Sequence, residues 1–180
     1  LFFQELFLFL PKKQFMNLEH IVQKNKADKG LRFVNLLIDL IFFFLFLFGV
    51  GFVAGLLLYL INPYSTFFED LEELNPFLDR IFTSILIVFY YFGMETLTKG
   101  RTIGKFITGT KVVTLEGELP TANIFLKRSL CRIIPFETFS FLGDNGWHDS
   151  IPKTTVVVKK HFDYEVEMQK NVAAIGTIEE

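Results

Sequence analysis

The sequence predicts an α-helical membrane protein: an antiparallel transmembrane helix pair, an amphipathic or re-entrant third helical segment, and a small cytoplasmic β-hairpin or sheet. Three observations carry this. From Leu40 to Ile61 run 22 residues without a formal charge, which as a helix rise about 33 Å against a hydrocarbon core of roughly 30 Å. Of 180 residues, 51% are hydrophobic and 24 are Phe, a composition of the membrane class. Charge also alternates in blocks. Lys12 to Arg32 carries six basic against two acidic residues and Lys99 to Arg132 seven against two, whereas Asn62 to Arg80 carries five acids against Arg80 alone. By the positive-inside rule the basic flanks are cytoplasmic, the acidic loop is external, and both termini are cytoplasmic.

Residues 1–29 read as an N-terminal cytoplasmic leader. Leu1 to Leu10 is apolar but has no basic segment before it and no small-residue cleavage site after it, and the first Met is Met16. Residues 1–15 are read either as a non-native start or as a short interfacial helix, and Asn17 to Gly30 as a polar leader.

The first span enters through Arg32, Asn35 and Asp39, which lie three, four and seven residues apart and so share one helix face. An ionisable group at the membrane boundary points to a functional site. The alternative is an Arg that snorkels with an Asp that caps the helix. Further along, Gly51 and Gly55 form a small face that lets a partner helix approach closely. In the outer loop, Asn62-Pro63 and Asn75-Pro76 are turn signals, and Phe67 to Leu74 reads as one or two turns of acidic surface helix.

The second span runs from Ile81 to about Thr98. Only 14 residues, Ile81 to Met94, are uncharged, about 21 Å, so the helix must carry Glu95 to the cytoplasmic interface. Glu95 thereby returns to the depth of Asp39, and Arg32, Asp39 and Glu95 form one expected cytoplasmic-side cluster. Tyr90 and Tyr91 can hydrogen-bond at that level.

Lys99 to Lys105 is not a phosphate loop, because three residues separate its glycines where four are needed and Phe106 follows the Lys. Ile107 to Leu115 is β-branched, Glu116-Gly117 is a turn signal and Pro120 ends a return arm, which predicts a hairpin. Asn123 to Gly143 is apolar but interrupted by Lys127, Arg128, Arg132, Pro135 and Glu137, and does not cross a bilayer unaided. Asp144-Asn145-Gly146 makes a turn and Thr154 to Val158 a strand that can join the hairpin. Residues 161–180 read as a mobile acidic tail.

A single cysteine, Cys131, excludes an internal disulfide and cysteine-based zinc or redox motifs. No metal-ligand spacing, cofactor motif or activated nucleophile is present, so neither metal nor cofactor is expected and the chain does not read as an enzyme. The basic patches lack interleaved aromatics, so they point to lipid headgroups and not to nucleic acid.

Three motifs together resemble the RDD family of small prokaryotic membrane proteins. They are Arg32 followed by Asp39, a G-x-T-x-G-K stretch formed by Gly100, Thr102, Gly104 and Lys105, and His148-Asp149 followed by Thr155 to Val158. The resemblance covers about residues 30–160 and implies that Arg32, Asp39 and Asp149 are the naming Arg and two Asp. Family members usually carry a more apolar third segment than Asn123 to Gly143. The resemblance implies the prokaryotic inner (cytoplasmic) membrane and a general link to transport, including cation/proton exchange. On that reading Arg32, Asn35, Asp39, Glu95 and Asp149 are the candidate ion and proton site, in a homo-oligomer. The alternative is a non-catalytic accessory or assembly module that binds lipid or a partner membrane protein.

Overall fold

A computed structural model describes residues 18–67, 70, 75–140 and 145–176. It opens with α1 (Glu19–Lys24) and a long helix α2 (Lys29–Ile61), whose first turn is capped by the Asp28 carboxylate accepting from the Leu31 N–H at 2.7 Å. The cap of α2 is therefore Asp28 and not Asp39. Helix α3 (Pro76–Leu97) begins with Asn75 capping the Phe77 N–H at 2.9 Å and Pro76 in the first turn. Its 22 residues rise about 33 Å, so the helix starts before Ile81 and carries Glu95 in its last turn.

Only 6% of the most apolar window of α2 and 17% of that of α3 is buried, whereas a core helix of a soluble protein is mostly covered. Both are candidate membrane-spanning helices. They meet through Phe43, Tyr90 and Tyr91, with Phe43 edge-on to Tyr90 at 5.6 Å and Phe46, Leu47, Ile87 and Met94 packed around them. Beyond that contact α2 runs on exposed to Ile61, and a side chain built at Gly51 would meet nothing within 4 Å.

At the Lys29 and Leu97 ends of the pair lies a mixed layer. It contains α4 (Ile103–Ile107), β1 (Thr110–Thr114), α5 (Ala122–Cys131), α6 (Glu137–Ser140), α7 (Trp147–Ser150), β2 (Thr154–Val158) and α8 (Lys159–Gly176). Strands β1 and β2 are antiparallel, with Thr110 opposite Val158 and Thr114 opposite Thr154. Residues 25–27 run along the other edge of β2, where the Ala27 N–H donates to the Val156 carbonyl at 2.8 Å and the Val158 N–H to the Asn25 carbonyl at 2.9 Å. The period of two divides the sheet's faces. Val113 and Val157 pack with Ile21, Val22 and Phe162, while Val112 and Val156 pack with Ala27 and Phe125, toward the spans.

Three expectations change here. The hairpin arm ending at Pro120 is not a strand; β1 is buried on both faces and takes the apolar β2 as partner, while Glu118 only closes the turn by accepting from the Thr114 N–H at 2.9 Å. The polar leader contributes α1 and a sheet edge, because Ile21 and Val22 fit the sheet. The stretch from His161 is not a mobile tail but helix α8 as far as Gly176, docked through Phe162 and Val166. In the third segment, α5 is amphipathic, turning Phe125, Arg128, Ser129 and Cys131 inward and ending at Arg132. The readings at residues 1–17, most of the acidic helix at 67–74, the turn residue at 144, and 177–180 lie outside the described residues.

Candidate functional site

The face of α2 bearing Arg32, Asn35 and Asp39 turns inward, and Asn35, Asp39 and Phe43 are its buried residues. Asp39 accepts from the Thr102 hydroxyl at 2.6 Å and from the Gly104 N–H at 2.8 Å, so it caps α4 from the neighbouring helix. Gly104 permits this approach. A Cβ there would lie 2.5 Å from the Asn35 carbonyl and 2.9 Å from an Asp39 carboxylate oxygen. Asn35 donates to the Thr110 hydroxyl at 3.0 Å and accepts from the Thr108 hydroxyl, which ties α2 to the start of β1.

At the end of α3 the chain closes the helix with Lys99 and Gly100 in the left-handed region, at φ 57° and 85°, and the Gly100 N–H donates to the Glu95 carbonyl at 2.7 Å. The fully buried Glu95 side chain accepts from Lys105 Nζ at 2.7 Å and from Arg128 Nε at 2.9 Å. Arg128, also fully buried, bridges onward to Asp149, to the Thr154 hydroxyl and to the His148 carbonyl at 3.2 Å. Asp149 in turn pairs with Arg32, whose guanidinium also donates to Asn145. Arg132 stacks on the Tyr91 ring at 4.0 Å and lies 3.9 Å from Glu95. Burying so many charges is tolerable only because each carboxylate meets donors or cations.

Between these groups sits a cavity of about 50 Å³ lined by Arg32, Asn35, Asp39, Lys105, Arg132, Glu137 and His148 among others, large enough for a few waters. Glu137 and His148 pair along its wall. Burial, and then Arg132, hold the His148 imidazole below its ordinary range. Burial alone would raise the Asp149 carboxyl, but Arg128, His148 and Arg32 outweigh it and hold it well below the usual carboxylate range. Burial would likewise lower Arg128, but Glu95 and Asp149 reverse this and keep it charged.

Of the expected trio, Arg32 and Asp39 line one cavity, and Arg32 also pairs with Asp149. Asp39 bonds to α4, and Glu95 is held by Lys105 and Arg128. Asp149 and Arg32 meet across 117 residues of chain. The motif residues Gly100, Thr102, Gly104 and Lys105 all take part in closing this region, and His148 flanks it through Glu137. The Tyr90 hydroxyl, expected to bond at this depth, is buried without a hydrogen-bond partner. Gly51 and Gly55 lie on the exposed stretch of α2, away from the cluster. Sequence reading misses Arg128, which along the chain is only a charge interrupting an apolar segment. The available signal was its place on an amphipathic helix in a basic stretch, set against buried acids that one Arg could not balance.

A model of the RDD family matches residues 26–149. Over 149 residues, 74% of this chain and 97% of the relative, the sequence is 34% identical to the uncharacterized protein YxaI of Bacillus subtilis (strain 168). No solved structure matches.

Arg128→Gln leaves Glu95 and Asp149 without their shared cation and should cost about 3–5 kcal/mol in the docking of the mixed layer. Hydrogen exchange would then rise across β1 and β2 while amides in α2 and α3 stay protected. Arg128→Lys should recover little, since one ammonium does not span both acids.

The lowered pKa of Asp149 fixes the sign of a pH effect. Its contribution is fully present above the unfolded value of about 3.9 and is lost as pH falls below it toward the folded value. Emission of Trp147, the single Trp, should drift as pH falls below about 6.5, where the unfolded chain protonates His148 first, and shift more steeply below about pH 4 as the Asp149 contribution is lost. In Asp149→Asn, the layer should be weaker at pH 7 and its response to acid flatter.

Proposed function

The chain belongs to the RDD family, and from that premise we propose that it is a multi-pass protein of the prokaryotic inner membrane, with α2 and α3 as antiparallel spans and both termini cytoplasmic. The sign of the charge on either side of the spans supports this orientation. In this reading the buried cluster is a clamp. It fastens the sheet and α5 across the cytoplasmic ends of the spans, and so builds a rigid surface for lipid or a partner membrane protein. The protein acts as an accessory or assembly module without chemistry of its own. One observation carries this: the two deepest acids are saturated, Glu95 by Lys105 and Arg128 and Asp149 by Arg32 and Arg128, which leaves neither free to trade a proton for an ion.

A second reading is cation/proton exchange, favoured by Asp39, which lines the cavity and accepts from a hydroxyl and an amide N–H. Two spans do not enclose a pathway, so exchange requires a homo-oligomer, for which Gly51 and Gly55 offer a close-packing face.

Vesicle reconstitution with pH- and cation-sensitive dyes separates the two. The clamp reading expects no saturable flux from the parent. Flux that Asp39→Asn abolishes, with insertion and assembly intact, would overturn it in favour of exchange.

Cys131 is buried and makes a poor topology probe, so orientation is better read from new cysteines in a Cys131→Ser background. Tyr64→Cys should react with an impermeant thiol reagent in whole cells, and Leu119→Cys only after permeabilisation. The reverse pattern would invert the proposed topology.

A further inference from the structure

We propose that the turn from Leu97 to Arg101 and the outer face of α4 bind the phosphate of an anionic phospholipid, with Lys99 and Arg101 as its cations and Leu97, Phe106 and Ile107 seated among the acyl chains. The proposal rests on the membrane reading above and names the lipid that this end of the spans takes.

From Thr96 to Leu115 the chain carries four cations, Lys99, Arg101, Lys105 and Lys111, and no acid. Two are committed: Lys105 to Glu95, and Lys111 to Asp163. Among the described residues, Lys99 and Arg101 have no acidic partner. The Arg101 guanidinium lies over the Phe106 ring at 3.8 Å, and its Nε is shielded from solvent without any acceptor. A buried guanidinium donor with nothing to receive it points to a ligand oxygen.

The turn that holds these groups is fixed. The Thr98 hydroxyl donates to the Met94 carbonyl at 2.5 Å and accepts from the Arg101 N–H at 3.2 Å, so Lys99 and Arg101 project from a braced helix end. Beside them Leu97 is 84% exposed, Ile107 62% and Phe106 45%. Three exposed apolar side chains next to two cations that have no acidic partner among the described residues fit the boundary between headgroups and acyl chains. Arginine's planar fork matches a phosphate's oxygens. A zwitterionic lipid brings its own ammonium to the site and cancels part of this attraction, so an anionic headgroup is preferred. The apolar trio would find no cover on a nucleic acid.

The test titrates the purified full chain in detergent with phosphatidylglycerol or phosphatidylcholine of matched acyl chains, and reads bound lipid by native mass spectrometry. Phosphatidylglycerol should bind more tightly. Each of Lys99→Gln and Arg101→Gln should weaken it about fivefold, and the pair about 25-fold, while phosphatidylcholine binding, already weaker, falls by less, so that the preference shrinks. Arg101→Lys should keep most of the preference. Equal affinity of the parent for the two lipids would overturn the proposal, as would an undiminished preference in the double variant. Displacement of phosphatidylglycerol by millimolar inorganic phosphate would also overturn it, by assigning the site to a free anion. Alkaline extraction of membranes distinguishes this from failure of the membrane reading. Release of the parent chain would sink that reading, whereas a retained chain without lipid preference would sink only this site.

Discussion

The structure depends on one buried guanidinium. Arg128 cannot lose its charge, and removing it from water costs several kcal/mol unless its donors are met. Glu95, Asp149, Thr154 and the His148 carbonyl meet them, and they come from α3, α7 and the start of β2. The position of α5 along α3 is therefore set by charge geometry as much as by apolar packing. Asp149 passes the constraint on to Arg32, so that α2 too is held at one depth against the layer.

Such a network is a poor source of net stability, because the Coulombic gain is largely consumed in desolvating the charges. Cohesion of the layer comes instead from the two apolar faces of the sheet, where Val112, Val113, Val156 and Val157 are almost wholly buried. The ion pairs supply register. Apolar faces slide at little cost, but a shift of one helical turn would strand Glu95 or Asp149 without a partner. The division of labour explains why a chain with two long, outward-facing apolar helices keeps so many charges at one end.

The motif after the second span follows from the same crowding. Gly100 closes α3 in a left-handed turn and lies 3.0 Å, by its absent Cβ, from the Val112 carbonyl; Gly104 lets α4 rest against α2. Thr102 and Lys105 then reach Asp39 and Glu95 from that short helix. A stretch with the outline of a phosphate loop is thus a packing element whose glycines serve backbone contact and whose Lys neutralises an acid of the preceding helix.

The sequence by itself determined what depends on local pattern. The two apolar helices, the shared face of Arg32, Asn35 and Asp39, the place of Glu95 in the last turn of the second helix, and the strand at Thr154 to Val158 follow from helix rise, helix period and β-branching. Tertiary structure alone decided which charge meets which. Arg32 finds Asp149 across 117 residues, a pairing that depends on where the layer folds back and not on spacing along one helix. It also turned an acidic, polar terminus into α8. There one face, Phe162 and Val166, found an apolar partner in α1 and the sheet, and local composition carries no record of that partner.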